Sequence, residues 1–322
     1  MPTFLEAIRE GLRQEMERDQ RVILLGEDLG EGGVFRATEG LVERFGRERV
    51  IDSPLAESSI VGVSIGASLN GLVPVPEIQF ADYIHPAMNQ LVNEAAKIRY
   101  LSLGTFHCPI TVRMPFGGGV HGGPFHSQCV ESMFLGIPGL KIVIPSTATD
   151  AKALLLSAIR DPDPVLFFEH KYLYRRQRAD ALPNEPLPLG VAQVRREGKD
   201  LTIVSYGAMV HVALAAAEAA SREGVAVEVV DLRTLCPLDR ETVLASVRKT
   251  SKALVLYEAN RTGGAGAEVA ALIAEEAFED LDGPVVRLAP PDVHFPFNST
   301  LEQAYLPTSD SVLAAIRKLA AY

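Results

Sequence analysis

The sequence predicts an α/β protein of two domains, each with a mainly parallel sheet flanked by helices. Three observations carry this. Short apolar runs alternate with longer amphipathic stretches from the N-terminus to about residue 170, the pattern of strands joined by helical crossovers. A proline-dense stretch, Leu182-Pro183-Asn184-Glu185-Pro186-Leu187-Pro188, then interrupts the alternation, because proline at this density fits neither a helix nor a sheet interior. The alternation resumes after it. The expected division is therefore a first domain over 1–180, a linker over 181–197 and a second domain over 198–322.

In order, Thr3-Phe4-Leu5-Glu6 has capping-box spacing and opens a helix with Leu5, Ile8, Leu12 and Met16 on one face. Arg21 to Leu25 reads as a buried strand, followed by the glycine-rich, acidic Gly26-Glu27-Asp28-Leu29-Gly30-Glu31-Gly32-Gly33. Three acids and no lysine would repel phosphates, which argues against a phosphate loop. A short helix near 38–45, a strand at 50–51, and a helix from Glu57 to about Gly71 come next. Strand 72–78 leads into Gln79-Phe80-Ala81-Asp82-Tyr83, so amide, acid and aromatic side chains gather past a strand end, where ligands bind in open parallel sheets. A long helix is expected over 86–100 and a strand over 110–114.

The loop Pro115-Phe116-Gly117-Gly118-Gly119-Val120-His121-Gly122-Gly123-Pro124-Phe125-His126-Ser127-Gln128 has too many glycines for regular structure. It can bring backbone close to a ligand. Strands at 142–144 and 165–168 bracket a helix over 148–159. In the second half, strands are expected at 201–205, 226–230, 253–257 and 285–288, with helices near 209–222, 239–248, 266–278 and 308–320. Few chemistry-bearing residues cluster there, which suggests packing and assembly.

Composition excludes several classes. The 322 residues are 47% hydrophobic and carry a net charge of −10, unfavourable for a nucleic acid or an anionic membrane as partner. No apolar run approaches a membrane span, and the N-terminus lacks the apolar core of a leader. The three cysteines form no CxxC pair and read as buried thiols of a reducing, cytoplasmic compartment. Gly263-Gly264-Ala265-Gly266 comes near a dinucleotide fingerprint, but position 269 is Val, so a tight turn with close helix packing is the better reading. No HExxH spacing occurs.

Three groups of residues invite chemistry. Glu57 opens a helix, where backbone N–H groups stabilise a carboxylate, an arrangement equally compatible with an ordinary first-turn acid. His126 sits among glycines with the side chain best suited to proton exchange near neutral pH; a loop-capping histidine is the alternative. Asp161-Pro162-Asp163-Pro164 is an acidic turn that is either solvated or an oxygen-lined cation site.

Gly26-Glu27-Asp28, Pro54-Leu55-Ala56-Glu57, Glu77-Ile78-Gln79-Phe80-Ala81-Asp82-Tyr83, His126-Ser127-Gln128 and Asp231-Leu232-Arg233-Thr234, in this order, resemble the beta subunit of the thiamine-diphosphate-dependent 2-oxo acid dehydrogenases, most closely the branched-chain type. The resemblance spans essentially the whole chain. It implies a transketolase-like fold with a pyrimidine-binding first domain and an assembly domain after it. It implies decarboxylation of a 2-oxo acid (branched-chain or pyruvate) and transfer of the acyl group to lipoamide on a dihydrolipoyl acyltransferase core. The Gly-Asp-Gly motif that holds magnesium diphosphate in that superfamily is missing here, so an alpha subunit, in an α2β2 heterotetramer, would hold magnesium and the diphosphate. By the same resemblance Glu57 faces the cofactor's pyrimidine nitrogen, Tyr83 lies against the ring, Leu55 and Gln79 line the pocket, and His126 assists decarboxylation and acyl transfer. Ile110, Thr111, Ala158, Asp161 and Asp163 match positions that hold a potassium ion, although this chain is one residue shorter just before Ile110. Two other readings compete: a nucleotide-binding oxidoreductase resting on the glycine turn at 263–266, and a non-catalytic assembly subunit.

Overall fold

A computed structural model describes all residues from Met1 to Tyr322. The chain divides into two compact units, Met1–Phe116 with Met133–Leu189, and Gly117–Ser132 with Gly190–Tyr322. The boundary at Leu189 falls inside the expected linker. The glycine-rich loop, which the sequence places in the first domain, groups with the second unit.

In the first unit, helix α1 (Phe4–Arg18) begins at a complete capping box: Thr3 Oγ1 accepts from the Glu6 N–H at 3.2 Å and Glu6 Oε2 accepts from the Thr3 N–H at 2.6 Å. Its apolar face, Phe4, Leu5, Ile8, Leu12 and Met16, is fully buried and packs on α5 (Ala148–Arg160). A Cβ at Gly11 would lie 3.1 Å from Leu155, so the small residue sets how closely the two helices approach.

Strands β1 (Val22–Gly26), β2 (Val50–Asp52) and β3 (Val73–Pro76) pair in parallel with β1 between the others. Strands β4 (Thr111–Phe116), β5 (Lys141–Val143) and β6 (Val165–His170) pair in parallel with β6 between β4 and β5. A bridge between Glu77 and Arg113 joins the two sets, with the Ile78 N–H donating to the Arg113 carbonyl at 3.0 Å. The order is β2-β1-β3-β4-β6-β5. Almost every residue of β1, β3, β4 and β6 is buried, as expected for a parallel sheet covered on both faces. Helices α2 (Leu41–Phe45) and α3 (Glu57–Leu69) lie between β1 and β3 in the chain. From β1 the chain steps outward to β2, and from β3 it steps the other way to β4. The strand order therefore reverses between β1 and β3, and their carboxyl ends form the crevice where open α/β sheets bind ligands.

The expected helix over 86–100 is present but irregular: a 3₁₀ turn (His85–Ala87), a π-helical turn (Gln90–Ala95) and α4 (Ile98–Leu101) follow one another along it. The Ala96 N–H donates to the Leu91 carbonyl, five residues back, at 3.0 Å, and the backbone of Gly139, at φ +97°, comes so close that a Cβ there would sit 2.0 Å from the Ala96 oxygen. The irregular turn thus ends at a tight tertiary contact.

In the second unit, β7 (Gln193–Arg196), β8 (Leu201–Ser205), β9 (Val227–Asp231), a short β10 (Thr234–Cys236), β11 (Ala253–Leu256) and β12 (Val286–Leu288) alternate with α6 (Met209–Ser221), α7 (Arg240–Thr250), α8 (Ala265–Glu276), α9 (Ser299–Tyr305) and α10 (Ser309–Ala320). The main sheet has the order β12-β11-β8-β9-β7, parallel except for β7. β7 lies within the stretch read as linker; its partly exposed, charged residues hid an antiparallel edge strand. The prolines before it are fixed on the first unit, where the Leu187 N–H donates to the Ala153 carbonyl at 3.2 Å and Ser157 Oγ donates to the Leu187 carbonyl. Of the three free thiols only Cys108 is buried; Cys129 and Cys236 are partly exposed, which corrects the expectation of three buried thiols.

Candidate active site

The crevice between β1 and β3 is assembled by close backbone contact. A side chain at Gly26 would place Cβ 2.9 Å from the Glu77 carbonyl oxygen, so glycine lets the strand ends meet. Beyond it the acidic loop is ordered from both sides. Asp52, at the end of β2, accepts the Gly30 N–H at 2.7 Å, and Thr38 Oγ1 donates to the Leu29 carbonyl at 2.9 Å. Asp28, at φ +57°, accepts from Gln79 Nε2 at 3.0 Å. That bond ties the loop after β1 to the segment after β3, and it fixes the amide that the sequence singles out.

Glu57 is the first residue of α3 and is buried. It shares its surroundings with a second buried carboxylate, Glu27. Burial, and then the charges of Glu57, Asp28 and Glu77, raise the pKa of Glu27 above that of an ordinary glutamate. Burial followed by Asp82, Glu57 and Glu27 likewise raises the Tyr83 hydroxyl. Two carboxyl groups and a phenol thus influence one another where the strand order reverses. Two like charges so placed resist simultaneous ionisation, so the cluster is suited to holding and exchanging a proton. Tyr83 stacks edge-on against Phe80 at 5.8 Å between centroids, and Phe80 against Phe35 at 5.3 Å. Leu55, two residues before Glu57, stands 78% exposed.

Beneath the crevice lies a buried ionic group. Arg113 donates from Nε and Nη2 to the two oxygens of Glu169, at 2.6 and 2.9 Å, and from Nη1 to Glu77 at 2.5 Å. Tyr174 Oη donates to the same Glu169 at 2.6 Å. Sequence reasoning passed over both this group and Glu27. The available signal was ionisable residues of opposite sign inside strands that otherwise read as fully apolar.

The five residues read as a cation site lie together around β4, β6 and the end of α5. Their carboxylates are already engaged. Lys141 Nζ lies 2.7 and 2.5 Å from the two oxygens of Asp161, and Asp163 Oδ2 lies 2.6 Å from Arg99 Nη1. The Ala158 carbonyl accepts the Asp161 N–H at 3.2 Å and that of Ile110 the Val165 N–H at 2.9 Å. The side chains therefore suit no multiply charged ion; carbonyl lone pairs are the donors left for a monovalent one.

His126 belongs to the loop of the second unit. The Gly117 N–H donates to the Gln128 carbonyl at 3.4 Å and Gln128 Nε2 to the Pro124 carbonyl at 2.5 Å, which closes the loop at its base. Its backbone meets two buried carboxylates from elsewhere in the unit: the Gly118 N–H donates to Glu258 Oε1 at 2.5 Å and the Gly119 N–H to Glu302 Oε1 at 2.9 Å. Neither acid was singled out in the sequence. The glycine turn at 263–266 packs on Tyr257, whose ring carbon would lie 2.2 Å from a Cβ at Gly266.

Residues 1–177 match the transketolase pyrimidine-binding domain and residues 190–312 the transketolase C-terminal domain. A solved split-gene transketolase, an inactive β4 tetramer, superposes with a TM-score of 0.81 at 25% identity, covering 99% of this chain and 98% of that one. Fold and crevice thus define a transketolase-type chain carrying the pyrimidine-binding and C-terminal domains. The chain is 52% identical to the 2-oxoisovalerate dehydrogenase subunit beta of Bacillus subtilis, with 99% of both covered, and 49% identical to the pyruvate dehydrogenase E1 component subunit beta of the same organism, with 98% of both covered. A mitochondrial 2-oxoisovalerate dehydrogenase subunit beta 2 from Arabidopsis thaliana is 48% identical over 98% of this chain and 88% of its own length. The chain belongs to the E1 beta subunits of the 2-oxo acid dehydrogenases, a family that uses thiamine diphosphate. No helix is long and apolar enough to cross a membrane.

Proposed function

We propose that this chain is the half of a 2-oxo acid decarboxylase that activates the cofactor's pyrimidine, and that Glu57 is the group that does so. The observation that carries this is the buried Glu57–Glu27 pair beside Tyr83 at the strand-order reversal. The cluster fits the pyrimidine half of thiamine diphosphate, where a proton must be exchanged with a weakly basic ring nitrogen. It does not fit the diphosphate, since the nearby loop over 26–33 offers acids and no cationic side chain. Magnesium and the diphosphate accordingly fall to an alpha subunit in an α2β2 assembly. The exposed Leu55, Val63 and Leu69 in and beside α3 are consistent with a covering partner.

Thiamine diphosphate, when bound, supplies a nucleophilic thiazolium carbon and an electron sink for loss of CO2 from the 2-oxo acid, branched-chain or pyruvate. The chain's own residues do the rest. Glu57 would face the pyrimidine nitrogen and be the group that exchanges a proton with it. Tyr83 offers its ring as a wall, Gln79 is oriented by Asp28, and Leu55 lines the open side. His126 moves a proton during decarboxylation and transfer of the acyl group to lipoamide. We assign 1–180 to pyrimidine binding and 198–322 to assembly and docking of the acyltransferase core, in the cytoplasm. A potassium ion at Ile110, Thr111, Ala158, Asp161 and Asp163 would be held by main-chain oxygens, with Lys141 and Arg99 neutralising the acids.

The test is Glu57→Gln in the assembled enzyme. A fold-preserving loss of about a hundred- to ten-thousand-fold in decarboxylation is expected, the usual range for a general acid–base group. Turnover within about threefold of the parent would remove Glu57 from the reaction. The isolated chain should bind thiamine diphosphate weakly even with magnesium; tight binding by calorimetry would refute the division of labour between subunits.

A further inference from the structure

The geometry points to Glu302 as a positioning residue for His126, acting through the backbone of the glycine-rich loop. This rests on the reading that His126 serves acyl transfer. Glu302 lies on α9, near the end of the chain, and its side chain is only 2% exposed. One carboxylate engages three loop donors: the Gly119 N–H at 2.9 Å, the His121 N–H at 3.3 Å from each oxygen, and the His121 ring through Nδ1. His121 itself has φ +59°, a conformation uncommon outside glycine, which turns its N–H and its ring toward the same acid.

The neighbours of Glu302 complete the seat. A Cβ at Gly118 would lie 2.1 Å from Phe295 Cζ, and one at Gly123, at φ +63°, would lie 2.5 Å from the Phe297 ring. The segment from Phe295 to Glu302 therefore touches the loop at three of its glycines, and two of those contacts leave no room for any side chain. His126 follows directly: its N–H donates to the Gly123 carbonyl at 3.4 Å, so whatever fixes Gly119 to Gly123 fixes the approach to His126. A buried carboxylate is a costly way to hold a loop, justified by the strength of charge-assisted bonds to backbone N–H groups. An apolar contact would have served packing alone. The second unit, otherwise concerned with assembly, thus supplies a part to the catalytic cycle.

The experiment uses the full complex of beta chain, alpha subunit and acyltransferase core. Glu302→Gln keeps the shape but removes the charge and presents an NH2 to at least one loop donor. Lipoamide acylation should fall about tenfold, the usual scale for losing a hydrogen bond to a charged group. Thiazolium proton exchange, which depends on Glu57, should stay within about twofold, and Glu302→Asp should recover part of the lost acylation. His121→Asn, which tolerates positive φ and alters only the half-exposed arm of the clamp, should give a smaller loss in the same step, and it decides the matter if Glu302→Gln does not fold. Unchanged acylation in a folded variant, or equal losses in acylation and proton exchange, would overturn the assignment. His126→Asn separates the two ideas. No acylation loss there defeats the reading of His126, whereas a loss there with Glu302→Gln unaffected defeats the clamp alone.

Discussion

Arg113 Nη1 lies 2.5 Å from Glu77 Oε2, with side-chain exposures of 1% and 4%. The same guanidinium is bidentate to Glu169, so one cation serves two buried acids from the strands on either side. Glu77 also closes the bridge that joins the two halves of the first sheet, and its carbonyl is the surface against which Gly26 is packed. Removing the cation would leave two carboxylates buried without a countercharge. Breaking one partner of a buried pair typically costs about 3–5 kcal/mol. Arg113→Met should therefore lower stability by at least that order, and Arg113→Lys should recover only part, because an ammonium cannot make the bidentate contact. Denaturant titration of the full chain checks this; a change under about 1 kcal/mol would show that the ion pairs are not what holds the sheet together.

Glu27 illustrates the opposite bargain. Its pKa is raised by burial and by Glu57, Asp28 and Glu77, so the folded chain binds its proton more tightly than the unfolded chain does. Stability from this group is complete below the unfolded value, 4.5, and is lost as pH rises through the folded value. Glu27→Gln should accordingly melt higher than the parent at pH 8 and lose that advantage at acid pH, while 2-oxo acid decarboxylation falls. A lower melting temperature at pH 8 would contradict the repulsion inferred between Glu27 and Glu57.

A sharper pH test lies in the second unit. Glu131 is fully buried and accepts from Tyr206 Oη at 2.7 Å. Burial pushes its pKa up to about 7, with the Tyr206 bond pulling the other way and Glu258 adding repulsion. The sign is that of a raised acid: its contribution is full below 4.5 and is lost between there and about 7. Glu131→Gln retains an acceptor for Tyr206 and carries no charge. It should stabilise the chain on the order of 3 kcal/mol above pH 8, at about 1.4 kcal/mol per pKa unit, and far less at pH 5. A gain independent of pH would mean that packing, not ionisation, distinguishes the two residues.

The regular elements were readable because burial of a parallel sheet writes itself as short apolar runs, and β1, β4, β6, β8 and α10 follow that pattern closely. The positions of Glu57 at a helix start and of Tyr83 past a strand end were readable from the boundaries of those elements; the roles given to them come from the family resemblance. What escaped was whatever depends on a neighbour distant in sequence. The π-turn at Gln90–Ala95 ends where Gly139 packs against Ala96, β7 pairs on the edge of β9, and Glu27, Glu258 and Glu302 meet partners across loops or long chain separations. In the sequence the acidic loop over 26–33 argues against phosphate, and its Gly26-Glu27-Asp28 carries part of the family resemblance. That one of its carboxylates is buried beside Glu57 could not follow from spacing, since nothing local distinguishes Glu27 from Glu31.

The seat of the His126 loop can be tested without touching an ionisable group. A Cβ at Gly118 would fall 2.1 Å from Phe295 Cζ and 2.8 Å from Cε1. Phe295 cannot easily yield: it is 6% exposed and stacked on Tyr305 with centroids 4.7 Å apart. Forcing a methyl into such a contact typically costs about 1–3 kcal/mol, so Gly118→Ala should destabilise the chain by that amount and lower lipoamide acylation with it. Phe295→Leu alone should also destabilise, through lost packing. Combined, the two should be less harmful than their sum, because the smaller side chain vacates the volume that the methyl needs. A coupling of about 1 kcal/mol or more in the double-mutant cycle, measured by denaturant midpoints of the four chains, is expected for residues in direct contact. Strict additivity would place the loop away from Phe295 in solution and would undo the seating from which the role of Glu302 is inferred.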